Sequence, residues 1–298
     1  MTISSANLQA SLRLGFGCSG AWGKPWFSAR EAERLLFAAL EGGVRHFDTA
    51  GFYGEGEAER RLGAGLKRWD APVFVSTKTG TRYRIGGVQK DFTPAAIRAD
   101  VEGSLKRLGR ERIDLVYLHG PSPDQQAQGL ETLARLKEEG KIGLAGICGE
   151  GKGLKRAVAA EGVDVIMGAY NLMRREHGEV FDDAKRAGLA VVAVAPLAQG
   201  LYRKDFFRLR SPADAWRIAR ALVKNRRELA AARAMRDRLY AIPGWSAGQL
   251  ALAFALANQA IDVAVTTTTS TARLAESIEA ARRTPDPEIL EALARLST

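Results

Sequence analysis

"VRHFDTAGFYGEGEAE", residues 44–59, starts as a buried strand and ends on a charge. Asp48 stands where the apolar run should stop, and Tyr53 follows on a turn bracketed by Gly51 and Gly54. A strand covered on both faces reads as an almost continuous apolar run, so a carboxylate at its last residue meets either solvent or a partner. Two further runs end the same way. "VFVSTKTG" (73–80) closes on Lys78, and "DLVYLHGP" (114–121) closes on His119.

Outward from these three runs, short apolar stretches alternate with longer segments of helical spacing. Strands are expected at 12–17, 44–49, 73–78, 114–119, 142–147, 164–170, 190–196 and 262–267. Helices are expected at 28–41, 56–68, 94–108, 124–139, 151–161, 178–187, 246–258 and 271–283, with an extra terminal helix at 286–296. Ser28 and Thr93-Pro94 read as helix starts, and Gly42-Gly43, Gly140 and Gly188 as helix stops before strands. Eight strand–helix repeats in 298 residues point to an α/β protein, a closed (β/α)8 TIM barrel. An open doubly wound sheet is the competing architecture. "GFGCSG" (15–20) matches the dinucleotide pattern G-x-G-x-x-G, but "AWGKPWFS" delays any helix until about Ser28. It reads instead as the first strand–helix loop. Strand seven ends near Pro196 and the next confident helix starts near Ser246, leaving a long connection of which 213–240 is expected to be helical. No linker composition divides the chain, so 1–298 reads as one domain.

Composition narrows the function. At 46% hydrophobic residues the chain can bury a large core. No run approaches the ~20 apolar residues of a membrane span, and "MTISSANLQASLRLG" carries no export signal. A cytoplasmic location is expected. Cys18 and Cys148 are too few for a disulfide framework and have no metal-ligand spacing, so no metal is expected. The formal charge is +10, and residues 201–240 hold twelve Lys/Arg against four Asp/Glu. No nucleic-acid motif accompanies that surplus, which also suits a small anionic ligand.

The strand ends suggest chemistry. Singly, Asp48 could cap a turn, Lys78 could reach solvent and His119 could be a core imidazole. On one barrel rim, with Tyr53 on the loop above, they form a proton-transfer set. An ammonium beside a phenol favours the phenolate, and a carboxylate behind it holds the ammonium charged. A neutral histidine opposite can hydrogen-bond a carbonyl oxygen, making a pocket for a developing alkoxide. Such chemistry needs an external electron source, of which a nicotinamide cofactor is the simplest.

At these residues the chain resembles the aldo-keto reductase family. "FDTAGFYGEGEAE" is similar to that family's Asp-to-Tyr signature, "VSTKTG" to its lysine strand and "LVYLHGP" to its histidine strand. "APLAQGL" (195–201) resembles the loop after strand seven, and "TTTTSTARLAES" (266–277) the cofactor motif before the last barrel helix. The resemblance implies metal-free reduction of aldehydes or ketones with NADPH, NADH being possible. It makes Tyr53 the general acid, Lys78 and Asp48 its tuning pair, and His119 the residue that orients substrate. It places the cofactor along Gly17, Cys18, Ser19, Asp48, Cys148, Met167, Pro196, Leu197, Gln199, Gly200, Thr267, Thr268, Arg273, Glu276 and Ser277. Arg273 would face the adenosine 2′-phosphate, where relatives often add a lysine at the position of Thr267. Trp22, Phe52 and Tyr83 are expected on the substrate pocket wall. The departures cluster at the nicotinamide end. Cys148, Gly149, Met167 and Val194 stand where the family carries Ser-Asn, Gln and an aromatic, with Asn171 and Tyr170 as neighbours able to substitute. A nucleotide-binding relative with weak or specialised activity, in a sensor or accessory role, is therefore the second reading.

Overall fold

The computed structural model describes residues 12–84, 87–224 and 226–296. The first eleven residues, which carry most of the N-terminal reading, lie outside the described residues. Elements are numbered in chain order. Eight parallel strands close a barrel: β1 (Leu14–Gly17), β2 (His46–Asp48), β3 (Phe74–Thr79), β6 (Ile113–His119), β7 (Ile142–Cys148), β8 (Val165–Ala169), β9 (Ala190–Val194) and β10 (Val263–Thr266). A short antiparallel hairpin, β4 (Thr81–Arg84) and β5 (Gly87–Lys90), stands apart between β3 and β6.

The outer shell follows the expected helical segments. It comprises α1 (Ala29–Glu41), α2 (Glu57–Leu66), α3 (Pro94–Leu108), α4 (Pro123–Glu138), α5 (Gly151–Val158) and α6 (Gly178–Arg186). It continues with α9 (Ala247–Ala257) and α10 (Thr271–Arg282), and α11 (Pro287–Ala294) is the terminal extra helix. Local chemistry explains the ends. The Ser28 hydroxyl accepts from the Glu31 amide while Glu31 reaches back to the Ser28 amide, a capping box on α1. Thr93 caps α3 with Pro94 at its first position. As "GFGCSG" suggested in context, β1 leads into a 3-10 turn at Gly20–Gly23, and among the described residues no α-helix begins before Ala29.

Three apolar clusters divide the core. One fills the space between strands and helices. A second fills the barrel itself with Phe74, Leu115, Tyr117, Leu144, Val165, Met167, Val192, Val263 and Val265, one from every second position of the strands. The third belongs to the basic connection. It is helical over α7 (Pro212–Lys224) and α8 (Arg226–Tyr240), within the stretch expected to be helical. Their buried Ala221, Ala232, Met235 and Leu239 join a cluster with Leu250, Ala251 and Leu293 of α9 and α11. The positive segment is thus amphipathic and docked on the barrel. Among the described residues no helix is long and apolar enough to cross a membrane.

Candidate active site

The barrel register brings the charged strand ends together. Gly17 of β1 pairs with Asp48 of β2, Asp48 with Ser76 of β3, and Lys78 with Tyr117 of β6. His119 of β6 then pairs with Cys148 of β7, and Cys148 with Met167 of β8. Because alternate residues face one side of a strand, His46 and Asp48 share the barrel interior, as do Ser76 and Lys78.

The Lys78 ammonium donates to Asp48 Oδ2 at 2.5 Å and to the Thr49 carbonyl at 2.8 Å. Both side chains are almost completely buried, at 2% and 5% exposure. Burial is the largest influence and pushes the lysine down, but Asp48, Tyr53 and Cys148 together push it up and the net direction is upward. Lys78 is therefore a fixed cation. Its Nζ lies 5.3 Å from the centre of the Tyr53 ring. Burial raises the Tyr53 phenol; the ammonium opposes this, and the balance stays above the ordinary value. Here the expectation that Lys78 would lower the phenol is only half met: the pull is present, but desolvation exceeds it. A raised phenol remains protonated at neutral pH, the state that a proton donor needs.

His119 stands opposite, its ring 6.4 Å from that of Tyr53 and nearly perpendicular at 89°. Burial, reinforced by Lys78 and Lys90, pushes its imidazole down to about 3, so it is neutral. Its Nδ1 is buried without a hydrogen-bond partner among the described residues. Phenol and neutral imidazole thus flank one space in which an oxygen can receive a proton.

The loop that carries Tyr53 is set by backbone contact. Gly54 has φ +62°, and a Cβ there would sit 2.2 Å from the Gly23 carbonyl oxygen. The turn after β1 and the Tyr53 turn touch backbone to backbone, which requires glycine on both sides. This is the reason for the glycine after Tyr53. Behind the site, fully buried Glu59 of α2 accepts the Thr77 hydroxyl at 2.6 Å and the Arg107 guanidinium at 2.6 Å. That network ties the helix after Tyr53 to the strand bearing Lys78. Asp48 Oδ1 accepts the Ser76 hydroxyl at 2.8 Å, and Ser76 Oγ lies 3.1 Å from His46 Nε2. Sequence reading missed Ser76, His46 and Glu59. The two-residue alternation before Asp48 and Lys78 was the available signal for the first two.

Of the three expected pocket aromatics, Phe52 and Tyr83 stack at 4.3 Å and 20° beside the site. Tyr83 is carried there by the β4–β5 hairpin rather than by an irregular loop. Trp22 is different. It is fully buried against Phe16 and Phe27, at 5.6 and 6.2 Å, and is a core residue.

The expected cofactor residues form a track along the rim. The Cys18 amide donates to the Asp48 carbonyl at 2.7 Å, and its buried thiol is held well above the ordinary range by burial and Asp48. Ser19 Oγ lies 3.3 Å from Thr267 Oγ1, and a Cβ on Gly17 would stand 2.5 Å from that same oxygen. Pro196 and Leu197 lead into a turn where Ala195, Ala198 and Gln199 all have positive φ, at 55°, 43° and 57°. Non-glycine residues in that region store strain of about 1–3 kcal/mol each and concentrate at functional sites. Thr268 accepts from the Ser270 amide at 3.1 Å, Glu276 from the Ser246 hydroxyl at 3.2 Å, and the Ser277 hydroxyl donates to the Arg273 carbonyl at 3.0 Å. Arg273 opens α10, where burial lowers its guanidinium and the nearby Arg203 and Arg217 add to the effect, with Asp205 and Asp214 opposing. Arg203 and Arg217 thus lie within electrostatic reach of Arg273, each also paired with a carboxylate, Asp205 and Asp214.

The nicotinamide end fits less well. Met167 has no exposure and packs inside the barrel, while the Cys148 thiol is pushed up to about 11, chiefly by burial. Asn171 does not stand in for a missing amide. Its Nδ2 donates to the Ala195 carbonyl at 3.1 Å, and its Oδ1 accepts from the amides of Met173 and Arg174. Tyr170 stacks on Phe254 at 5.7 Å. A separate groove of about 340 Å³ between α1 and α10, lined by Ala38, Gly42, Leu274 and Ile278, lies on the outer shell and carries none of these groups.

Comparison with known proteins agrees with this geometry. The chain is 33% identical over 200 residues to a D-threo-aldose 1-dehydrogenase of a Pseudomonas species, covering 57% of this chain and 61% of that protein. It is 28% identical over 293 residues to the oxidoreductase YqkF of Bacillus subtilis, covering 96% and 93%. The solved structure of aldo-keto reductase AKR11C1 from Bacillus halodurans, in its holo form, superposes with a TM-score of 0.80 at 27% identity over 96% of this chain and 92% of that one. The model of the aldo/keto reductase family matches residues 13–297. With nearly the whole chain matched and its strand ends converging on one rim, the protein belongs to the aldo/keto reductase family.

Proposed function

We propose that the protein interconverts aldehydes or ketones and alcohols with a nicotinamide cofactor, NADPH preferred and NADH accepted. The observation that carries this reading is the convergence of Asp48, Tyr53, Lys78 and His119 on one rim, with Lys78 held by Asp48. The cofactor would lie along Gly17 to Ser19, the 196–200 turn and the 267–277 segment, with Arg273 toward its phosphates. When bound, it supplies the hydride that reduces the carbonyl carbon. Tyr53 gives its proton to the carbonyl oxygen, and the Lys78 ammonium stabilises the phenolate that remains. Asp48 keeps that ammonium charged and in place, and neutral His119 donates a hydrogen bond to the same oxygen. In the direction of oxidation Tyr53 takes the proton back. Two relatives, a D-threo-aldose 1-dehydrogenase and an aldo-keto reductase solved in its holo form, support this reading.

Purified protein is expected to oxidise NADPH when simple aldehydes are present. Tyr53→Phe should lower kcat about 10²-fold or more, the scale of general acid catalysis. Equal rates for Tyr53→Phe and wild type would remove Tyr53 from this role. Cys148, Met167 and Val194 favour a second reading, a nucleotide-binding protein with weak or specialised turnover. Tight NADPH binding with no steady-state turnover on a broad carbonyl panel would select it.

A further inference from the structure

We propose that Arg220, stacked on Trp216 of the same helix, receives an anionic group of the substrate, so that the preferred substrates are carbonyl compounds bearing a carboxylate or phosphate. The inference rests on the oxidoreductase reading of the same site and names its substrate class. Neither residue was singled out in the sequence, where both were part of the basic run 201–240.

The placement starts from the loop after β1. A Cβ on Gly20 would lie 3.3 Å from the outer edge of the Trp216 indole, so α7 rests on this rim loop. One helical turn further, the Arg220 guanidinium lies 5.3 Å from the centre of the Trp216 ring. Residues four apart share a helix face, and a guanidinium stacked on indole is held flat while its N–H fork stays open. Among the described residues no carboxylate lies within ion-pair distance of Arg220. Arg217 of the same helix behaves differently, pairing with Asp214 and donating to the Phe206 carbonyl.

The same helix serves two anion positions. Arg217 is among the charges felt by Arg273, on the side assigned to the cofactor phosphates. Arg220 is not. Arg220 keeps an exposed face at this rim; partial burial lowers its guanidinium, and a Tyr53 phenolate would oppose this, which sets the two within electrostatic reach. Other carboxylates around the rim are already committed: Asp48 to Lys78, Asp100 to Arg82, and Glu150 to Arg174. On the far side Lys90 donates to the Gly120 carbonyl, beside His119. A neutral carbonyl compound would use the phenol, the imidazole and the Phe52–Tyr83 wall but would leave Arg220 unmatched. An anionic one would fill all of them, and a planar carboxylate suits the guanidinium fork.

Three matched pairs test this: succinic semialdehyde against butanal, 4-carboxybenzaldehyde against benzaldehyde, and glyceraldehyde 3-phosphate against glyceraldehyde. Wild type should show at least tenfold higher kcat/KM for the anionic members, chiefly through KM. Arg220→Gln should cut that preference at least tenfold, and Arg220→Lys should retain part of it. A stronger gain with the first two pairs identifies a carboxylate, and with the third a phosphate. Equal kcat/KM within all pairs for wild type, or the same proportional loss on both members in Arg220→Gln, overturns the proposal. Absence of turnover on every carbonyl would instead remove the oxidoreductase reading. Thermal shift then decides the anion site: selective stabilisation by succinic semialdehyde over butanal, lost in Arg220→Gln, supports it, and equal stabilisation refutes it.

Discussion

At the scale of single residues, position in the barrel decides which groups are chemical and which are structural. Lys78 and Asp48 are buried together as an ion pair; removing one partner of such a pair leaves an uncompensated buried charge. Cys148 and Cys18 feel the same pair but remain protonated thiols, chiefly because they are buried. Gly54 shows how a residue without a side chain can position one that has it. Gly54→Ala forces a φ of +62° on an L-residue, which costs about 1–2 kcal/mol. It also drives a methyl into the Gly23 carbonyl, and overpacking adds roughly 1–3 kcal/mol. Gly162 is the matched control, with φ +81° and nothing within 4 Å of a built Cβ. Urea unfolding should show Gly54→Ala losing more stability than Gly162→Ala, and the first variant should also lose carbonyl reduction as Tyr53 shifts. Equal losses of stability would show that the backbone contact is not tight in solution.

At the scale of elements, the additions to the barrel shape the pocket. The β4–β5 hairpin is short and pairs only with itself, so it gains its place through side chains. Arg82 bonds to Asp100 and to the Ala96 carbonyl, Lys90 to the Gly120 carbonyl, and Tyr83 stacks on Phe52. Tyr83 is 48% exposed, so the stack is its main fixed contact. Aromatic pairs of this kind are worth about 0.5–1.5 kcal/mol beyond area burial. Tyr83→Ala is therefore expected to raise KM for aromatic aldehydes several-fold while changing kcat little and leaving the unfolding midpoint nearly unmoved. A large fall in kcat with unchanged KM would place Tyr83 outside the pocket wall. The helix pair α7–α8 makes the same point. Its charge excess was legible in composition, but the face turned to the rim depends on docking through Ala221, Ala232 and Leu239.

For the molecule as a whole, the +10 charge becomes meaningful only through where the chain returns. Arg203 follows β9, Arg217 lies on α7 and Arg273 opens α10, yet the three act on one region. Asp205 and Asp214 offset part of their mutual repulsion and an added anion would relieve more, which is the basis for expecting preference for a phosphorylated cofactor. Arg273→Ala should raise the Kd for NADPH at least tenfold more than that for NADH in fluorescence titration. Added salt should weaken NADPH binding more than NADH binding, because the extra phosphate is attracted by partly exposed charges. Equal effects on both cofactors would move Arg273 away from the 2′-phosphate.

The sequence alone determined the barrel and the four rim groups, because both depend on local signals. Strand–helix alternation follows from hydrophobic period, and a charge at the end of an apolar run marks the rim wherever the run lies. The order of Asp48, Tyr53, Lys78 and His119 along the chain is also their order around the sheet, since consecutive parallel strands lie side by side. Tertiary structure alone decided the rest. Whether Tyr53 is raised or lowered depends on the balance between burial and the Lys78 ammonium, a balance that spacing along the chain does not record. Trp22 went to the core and Trp216 to the rim although both sit in polar-flanked segments, because their fates were set by Phe16 and Phe27 in one case and by Gly20 in the other. Those partners are brought together by long-range packing, and no period in the sequence records it.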